Sequence, residues 1–257
     1  MESALGIVGL FGAGVVAGAI NSVAGGGSLI SFPALIAFGI PPIPANATNT
    51  AAVLPGSISS AAAYRKDLPG RHEGPFISLF LPSLAGGLLG AVVLAVTPSE
   101  LFSRMVPFLI LFATILFSGR EYFARLVNAR SDEPGPISRL ARLWGFSFQL
   151  FVAAYGGYFG AGIGILMLAS FSLMGMHDIH KMNAMKTFLA SVINGTALFY
   201  FILRGLIVWP IAILMACGAI IGGYLGARLA KRVNQRILGL FIVAIGFAVS
   251  VWLFLRL

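Results

Sequence analysis

Asn46, Asn49, Thr50 and Ser57 stand at i, i+3, i+4 and i+11, so on a helix they share one face. A second set of the same rhythm follows later: Asn183, Lys186, Thr187 and Asn194. Both sets sit in otherwise apolar stretches. Amides and hydroxyls supply hydrogen-bond donors and Lys186 supplies a positive charge, a combination suited to an anion. The same side chains also tie helices together within a bilayer. For the asparagines and threonines alone, both readings stand. Lys186 favours the anion, because it takes the place of Asn49 in its stripe and no acidic residue lies within a helical turn of it. Its position about one turn into the segment also permits snorkelling to the inner interface.

Ahead of each stripe the chain breaks at glycines: "NSVAGGGS" from Asn21 to Ser28, and "YGGYFGAGIG" from Tyr155 to Gly164. A short apolar segment follows each break, and then a helix-ending bend, "GIPPIP" or "GMHDIH". A helix that starts inside a membrane points free N–H groups and its positive dipole end at whatever lies in front of it. Two such starts, at Ser28 and Ile163, would cradle an anion if they converged near the midplane. Non-helical backbone at that depth is tolerated only inside protein or beside a water-filled cavity. The other reading of glycine is close helix packing, which accounts for Gly14-x-x-x-Gly18, Gly86-x-x-x-Gly90 and Gly222-x-x-x-Gly226. For Gly25, Gly26 and Gly27, and for Gly160 and Gly162, the short helices that follow favour the site.

The elements that must position these residues are membrane helices. Of 257 residues, 58% are hydrophobic and 10% charged, and the mean hydropathy is +0.95. A water-facing domain carries about 25% charged residues. Apolar runs of about 20 residues match a bilayer core of about 30 Å. The chain lacks the short alternating strands of a transmembrane β-barrel. Ten segments are expected: 5–24, 28–39, 46–64, 75–96, 102–120, 141–158, 163–175, 183–203, 207–230 and 235–255. Segments 28–39 and 163–175 would reach only about 18–20 Å as helices, so each is read as re-entrant or as a short span. Ser22-Val23-Ala24 has the small-x-small form of a cleavage site, but no basic stretch precedes it, and the first segment is read as a retained helix. Cys217, the single cysteine, is read as a packing residue.

The two halves resemble each other. "GGLLGA" at 86–91 matches "GGYLGA" at 222–227, "NATNT" at 46–50 matches "NAMKT" at 183–187, and "GGG" at 25–27 matches "GAG" at 160–162, with offsets of 136, 137 and 135. Five segments per half is an odd number, so the second half would insert upside down, the inverted repeat typical of secondary transporters. The expected division is a first repeat over 1–120, a basic cytoplasmic linker over 121–140 and a second repeat over 141–257. With the N-terminus outside, the inside loops hold Arg65, Lys66, Arg71, Arg120, Arg125, Arg130, Arg139, Arg142, Lys181, Arg228, Lys231, Arg232 and Arg236. Outside remain Arg104, Arg204 and Arg256. That bias places both termini outside. It also explains the net charge of +9 without nucleic acid, since the bases flank helix ends.

Every acidic residue falls in a terminus, a loop or a helix end, so there is no mid-membrane carboxylate for a proton relay or a metal. No cofactor is expected. A membrane enzyme would need a nucleophile, a metal cluster or paired carboxylates in the bundle, and none is present in the sequence. His177 and His180 are read as interfacial.

The break, the short helix, the proline bend and then "ANATNTAAVLPGSISSAAAYR", repeated more weakly in the second half, resemble the TauE/SafE sulfite exporter family, also called the toluene sulfonate uptake permease family. The resemblance implies an inner-membrane permease for sulfite, sulfoacetate or another organosulfonate. It carries over to Gly25, Gly26, Gly27, Asn46, Asn49 and Thr50, with Gly160, Gly162, Asn183, Lys186 and Thr187 as repeat mates. The expectation is an all-α polytopic protein of about ten segments, exporting a sulfur anion by alternating access through those residues and the Ser28 and Ile163 tips. Gly39 and Gly175 are candidate hinges, and Tyr155 and Tyr158 candidate path residues. A cation or neutral-solute transporter, or an importer of a sulfur compound, is the competing reading.

Overall fold

The apolar segments fold as the periodicity demands. The computed structural model describes residues 4–23, 26–65, 68, 76–119, 139–174, 176, 178–229 and 235–255. Among these, ten helices and no strand form: α1 Ala4–Val23, α2 Ser28–Ala37, α3 Pro42–Ala63, α4 Phe76–Val96, α5 Ser99–Ser118, α6 Arg139–Tyr158, α7 Ile163–Leu173, α8 Ile179–Leu203, α9 Trp209–Leu229 and α10 Gln235–Phe254. Helices α3 and α8 begin four residues earlier than the apolar runs imply. In α3 the first turn takes Pro42 and Pro44, where a missing N–H costs nothing because the first turn has no acceptor for it.

The bundle belongs in a bilayer. Stretches Leu79–Val96, Ser99–Ser118, Lys181–Leu203 and Trp209–Gly226 are each long and apolar enough to cross a membrane. The outer surface is apolar: Val96, Phe108, Phe151 and Leu240 are each at least 60% exposed. In water such a surface would drive aggregation, whereas lipid tails accept it. Cys217 is a correction, because it is exposed on α9 rather than packed inside.

Without a hydrophobic force between helices in lipid, association depends on close backbone approach. Helix α1 packs against α9, and α4 against α6. A methyl group at Gly18 would overlap the Ala219 carbonyl, one at Gly222 the Val15 carbonyl, and one at Gly90 the Ala154 carbonyl. The small-residue motifs are therefore packing seams. Helix α3 also packs on α9, α4 on α8, α5 on α10, and α3 meets α8.

Helices α2 and α7 have 10 and 11 residues, which is about 15–17 Å, or half of the bilayer core. Helix α2 ends where Gly39 takes φ +90° and the Ile40 N–H donates to the Leu35 carbonyl at 3.1 Å. That is the six-to-one bond of a Schellman stop. Gly175, the counterpart hinge candidate, lies outside the described residues, as do His177 and most of the 121–140 linker.

Candidate functional site

The starts of α2 and α7 meet at one cavity. Its volume is about 50 Å³, and Gly26 and Ser28 line it from one tip, Gly160, Gly162, Ile163 and Gly164 from the other. Helix α3 contributes Val53, Ser57 and Ser60, and α8 contributes Lys186, Thr187, Ala190 and Asn194. Asn21, near the end of α1, completes the wall. One water needs roughly 10–15 Å³ by the same measure, so the space holds about four small atoms. That is the scale of one oxyanion group, whether a free ion or the head of a larger anion.

Backbone geometry makes the tips. Gly26 has φ +99°, Gly160 and Gly162 both +81°, a region that costs an L-residue about 1–2 kcal/mol. At Gly162 nothing lies closer than 3.6 Å to the place of a methyl group, so the backbone angle alone asks for glycine there. Gly27 is different: a methyl would overlap the Ala17 carbonyl, so α2 begins hard against α1. The Asn21 side-chain oxygen accepts the Gly27 N–H at 2.8 Å and fixes that start. Leu29 N–H is taken by the Gly26 carbonyl at 2.9 Å, and Ile165 N–H by the Gly162 carbonyl at 3.1 Å. Among the described residues no acceptor meets the N–H of Ser28, Ile163 or Gly164. Those donors border the cavity.

The charge at the site is positive. Lys186 is 5% exposed, and its Nζ donates to Asn183 Oδ1 at 2.9 Å. Among the described residues no carboxylate pairs with it, and none of the lining side chains is acidic. Its stem crosses the start of α7: a methyl at Gly164 would stand 3.1 Å from Lys186 Cδ. Two helix starts and a buried ammonium thus face one small space, an arrangement that favours negative charge.

Residues 10–253 match the family described as Sulfite exporter TauE/SafE. The chain belongs to that family. It is 30% identical over 244 residues to a probable membrane transporter protein of Haemophilus influenzae, covering 94% of this chain and 91% of that one. It is 29% identical over 248 residues to the probable membrane transporter protein ORF9 of a Sinorhizobium species, with 94% and 90% covered. With the probable membrane transporter protein YfcA of Escherichia coli it shares 27% over 247 residues, covering 94% and 87%. No solved structure matches it. This TauE/SafE member is a multi-pass membrane transporter.

The residues singled out in the sequence divide into two groups. Gly26, Ser28, Gly160, Gly162, Lys186 and Thr187 line the cavity. Gly25 lies outside the described residues. Asn183 stands behind Lys186 as its acceptor. Asn46, Asn49 and Thr50 do not line the cavity. Asn46 Nδ2 donates to the Tyr158 carbonyl at 3.0 Å, Ser31 donates its hydroxyl to Asn49 Oδ1, and Thr50 bonds back to the Asn46 carbonyl at 3.0 Å. The upper half of the α3 stripe thus binds α2 and the end of α6, and only its continuation at Ser57 faces the space. Tyr155 donates to the Ala161 carbonyl at 2.9 Å, bracing the turn into α7, and Tyr158 packs edge-on against Phe102. Asn21, Ser60 and Gly164 were not apparent as wall residues from the sequence. Ser60 continues the stripe at i+3 from Ser57, so the helical period alone marks its face.

Proposed function

We propose that this TauE/SafE transporter exports a small sulfur-containing anion, sulfite or a compact organosulfonate such as sulfoacetate, across the inner membrane by alternating access. The observation that carries the reading is the meeting of two helix starts, at Ser28 and Ile163, whose N–H groups find no acceptor among the described residues, with the buried Lys186 around about 50 Å³. Lys186 supplies the countercharge, the free amides supply directed donors, and Asn183 holds the ammonium in place. A cation would meet repulsion there. An inside-negative potential expels an anion with roughly 2.3 kcal/mol per charge per 100 mV, so export needs no coupled ion.

The two halves act as inverted five-helix repeats, with both termini outside. The sequence offsets make α6 the counterpart of α1, and α9 that of α4. The pairings α1 with α9 and α4 with α6 are then one contact made twice, which supports the repeat. In that topology the cavity runs along the cytoplasmic half of α3, while Asn46 and Asn49 tie its outer half to α6 and α2.

Thermal unfolding of the purified protein with sulfite, sulfate, sulfoacetate, taurine, acetate, chloride and sodium tests the reading. A ligand that binds only the folded protein raises its stability by mass action. A selective rise with sulfite or a sulfonate is expected. A response to sodium or to none of the anions overturns the proposal.

A further inference from the structure

Hydroxyls in these helices follow one habit. Thr50, Ser57, Thr187 and Ser191 each donate to the carbonyl four residues back, at 2.8–3.1 Å. Ser60 departs from it. Its Oγ is buried and has no hydrogen-bond partner among the described residues, and the residue is only 2% exposed. The cause lies one residue earlier. The natural acceptor for Ser60 is the Gly56 carbonyl, which already takes the helix N–H of Ser60 itself. The Ser59 hydroxyl donates to the same carbonyl at 2.9 Å. Both lone pairs are therefore used. Ser60 lines the cavity together with Lys186 and Thr187. More than nine in ten buried polar groups find a partner, and an orphaned one is costly to leave unmade.

We propose that the Ser60 hydroxyl, turning about its Cα–Cβ bond into the cavity on binding, is a direct hydrogen-bond donor to the transported anion and helps set its specificity. The inference rests on the anion reading of the cavity. The anion is then gripped from α3 by an O–H and from α8 by an ammonium, so both long helices of the cavity contact it. The ligand-free protein carries the orphaned hydroxyl as a cost that binding removes. This gives two opposite signs in one substitution. Removing the hydroxyl weakens binding and does not harm the empty protein.

The test titrates sulfite into wild type and Ser60→Ala by isothermal calorimetry and records the melting temperature of each without ligand. A hydrogen bond to a charged group converts to a loss of roughly ten- to hundredfold in affinity. The expected result is that loss, with the ligand-free variant melting at the same temperature or higher. Ser60→Cys, a weaker donor of similar size, falls between the two in affinity. Unchanged affinity in Ser60→Ala, with wild type binding sulfite, overturns this inference alone. A lower melting temperature of the ligand-free variant also overturns it, because the hydroxyl then had a partner in the empty protein. Failure of wild type to bind sulfite, sulfoacetate or sulfate sinks the anion reading itself and the inference with it.

Discussion

Replacing Lys186 by methionine keeps the length of the side chain and deletes its charge. The two sides of the account then predict effects of opposite sign. In the empty protein the ammonium is 5% exposed with a neutral amide oxygen as partner. A buried charge without a counter-charge costs several kcal/mol, and exchange for an apolar group stabilises by about 1–4 kcal/mol. At roughly 2–4 °C per kcal/mol for a chain near this size, Lys186→Met without ligand melts several degrees higher. Affinity moves the other way. An anion with its charge about 4 Å from the ammonium gains about 4 kcal/mol at an effective dielectric of 20, a factor of about a thousand. At sulfite one hundred times its wild-type Kd, wild type gains about 2.7 kcal/mol, equivalent to roughly 5–11 °C. The variant at the same concentration sits at about a tenth of its own Kd and shows no resolvable shift. The assay is a melting curve of each protein with and without sulfite. A variant that melts lower when empty and keeps the sulfite shift refutes the reasoning, since Lys186 would then be structural.

Two further expectations separate the roles of the tips. Gly27→Ala forces α2 off the Ala17 carbonyl and costs more than Gly162→Ala, whose penalty is only the φ of +81°, about 1–2 kcal/mol. Melting temperatures in the reverse order would contradict the geometry. Asn21→Leu leaves the Gly27 N–H without its acceptor and lowers stability by about 1–3 kcal/mol. An unchanged melting temperature would show that the Asn21 cap contributes nothing.

The fold was legible because bilayer helices carry a loud signal: the apolar runs located the ten helices of the described residues, and the glycine spacings marked α1, α4 and α9 as helices of close packing. Legible too were the short helices, since a glycine break followed by about a dozen apolar residues leaves a helix too short to span comfortably. The lining of the candidate cavity was half legible. Lys186, Thr187 and the two tips are read directly, because packing alone seldom puts a lysine in an apolar segment or starts a helix at a glycine run inside a membrane. Asn46 and Asn49 misled in placement, because helical spacing gives a shared face but not the neighbour that face meets. That neighbour is the end of α6 and the body of α2, which only tertiary packing determines. Ser60 was hidden for a different reason: its hydroxyl is conspicuous only once the Gly56 carbonyl is known to be occupied.

The central claim is that this cavity passes an anion of sulfur, and flux from proteoliposomes tests it most directly. Vesicles loaded with sulfite, with protein-free vesicles as the leak control, are diluted under an imposed membrane potential and external sulfite is followed with time. The account predicts efflux that needs the protein, speeds up as the interior is made more negative, and disappears in Lys186→Met. Sulfite and sulfoacetate retained as in protein-free vesicles at every potential, or efflux from Lys186→Met at the wild-type rate, would contradict it.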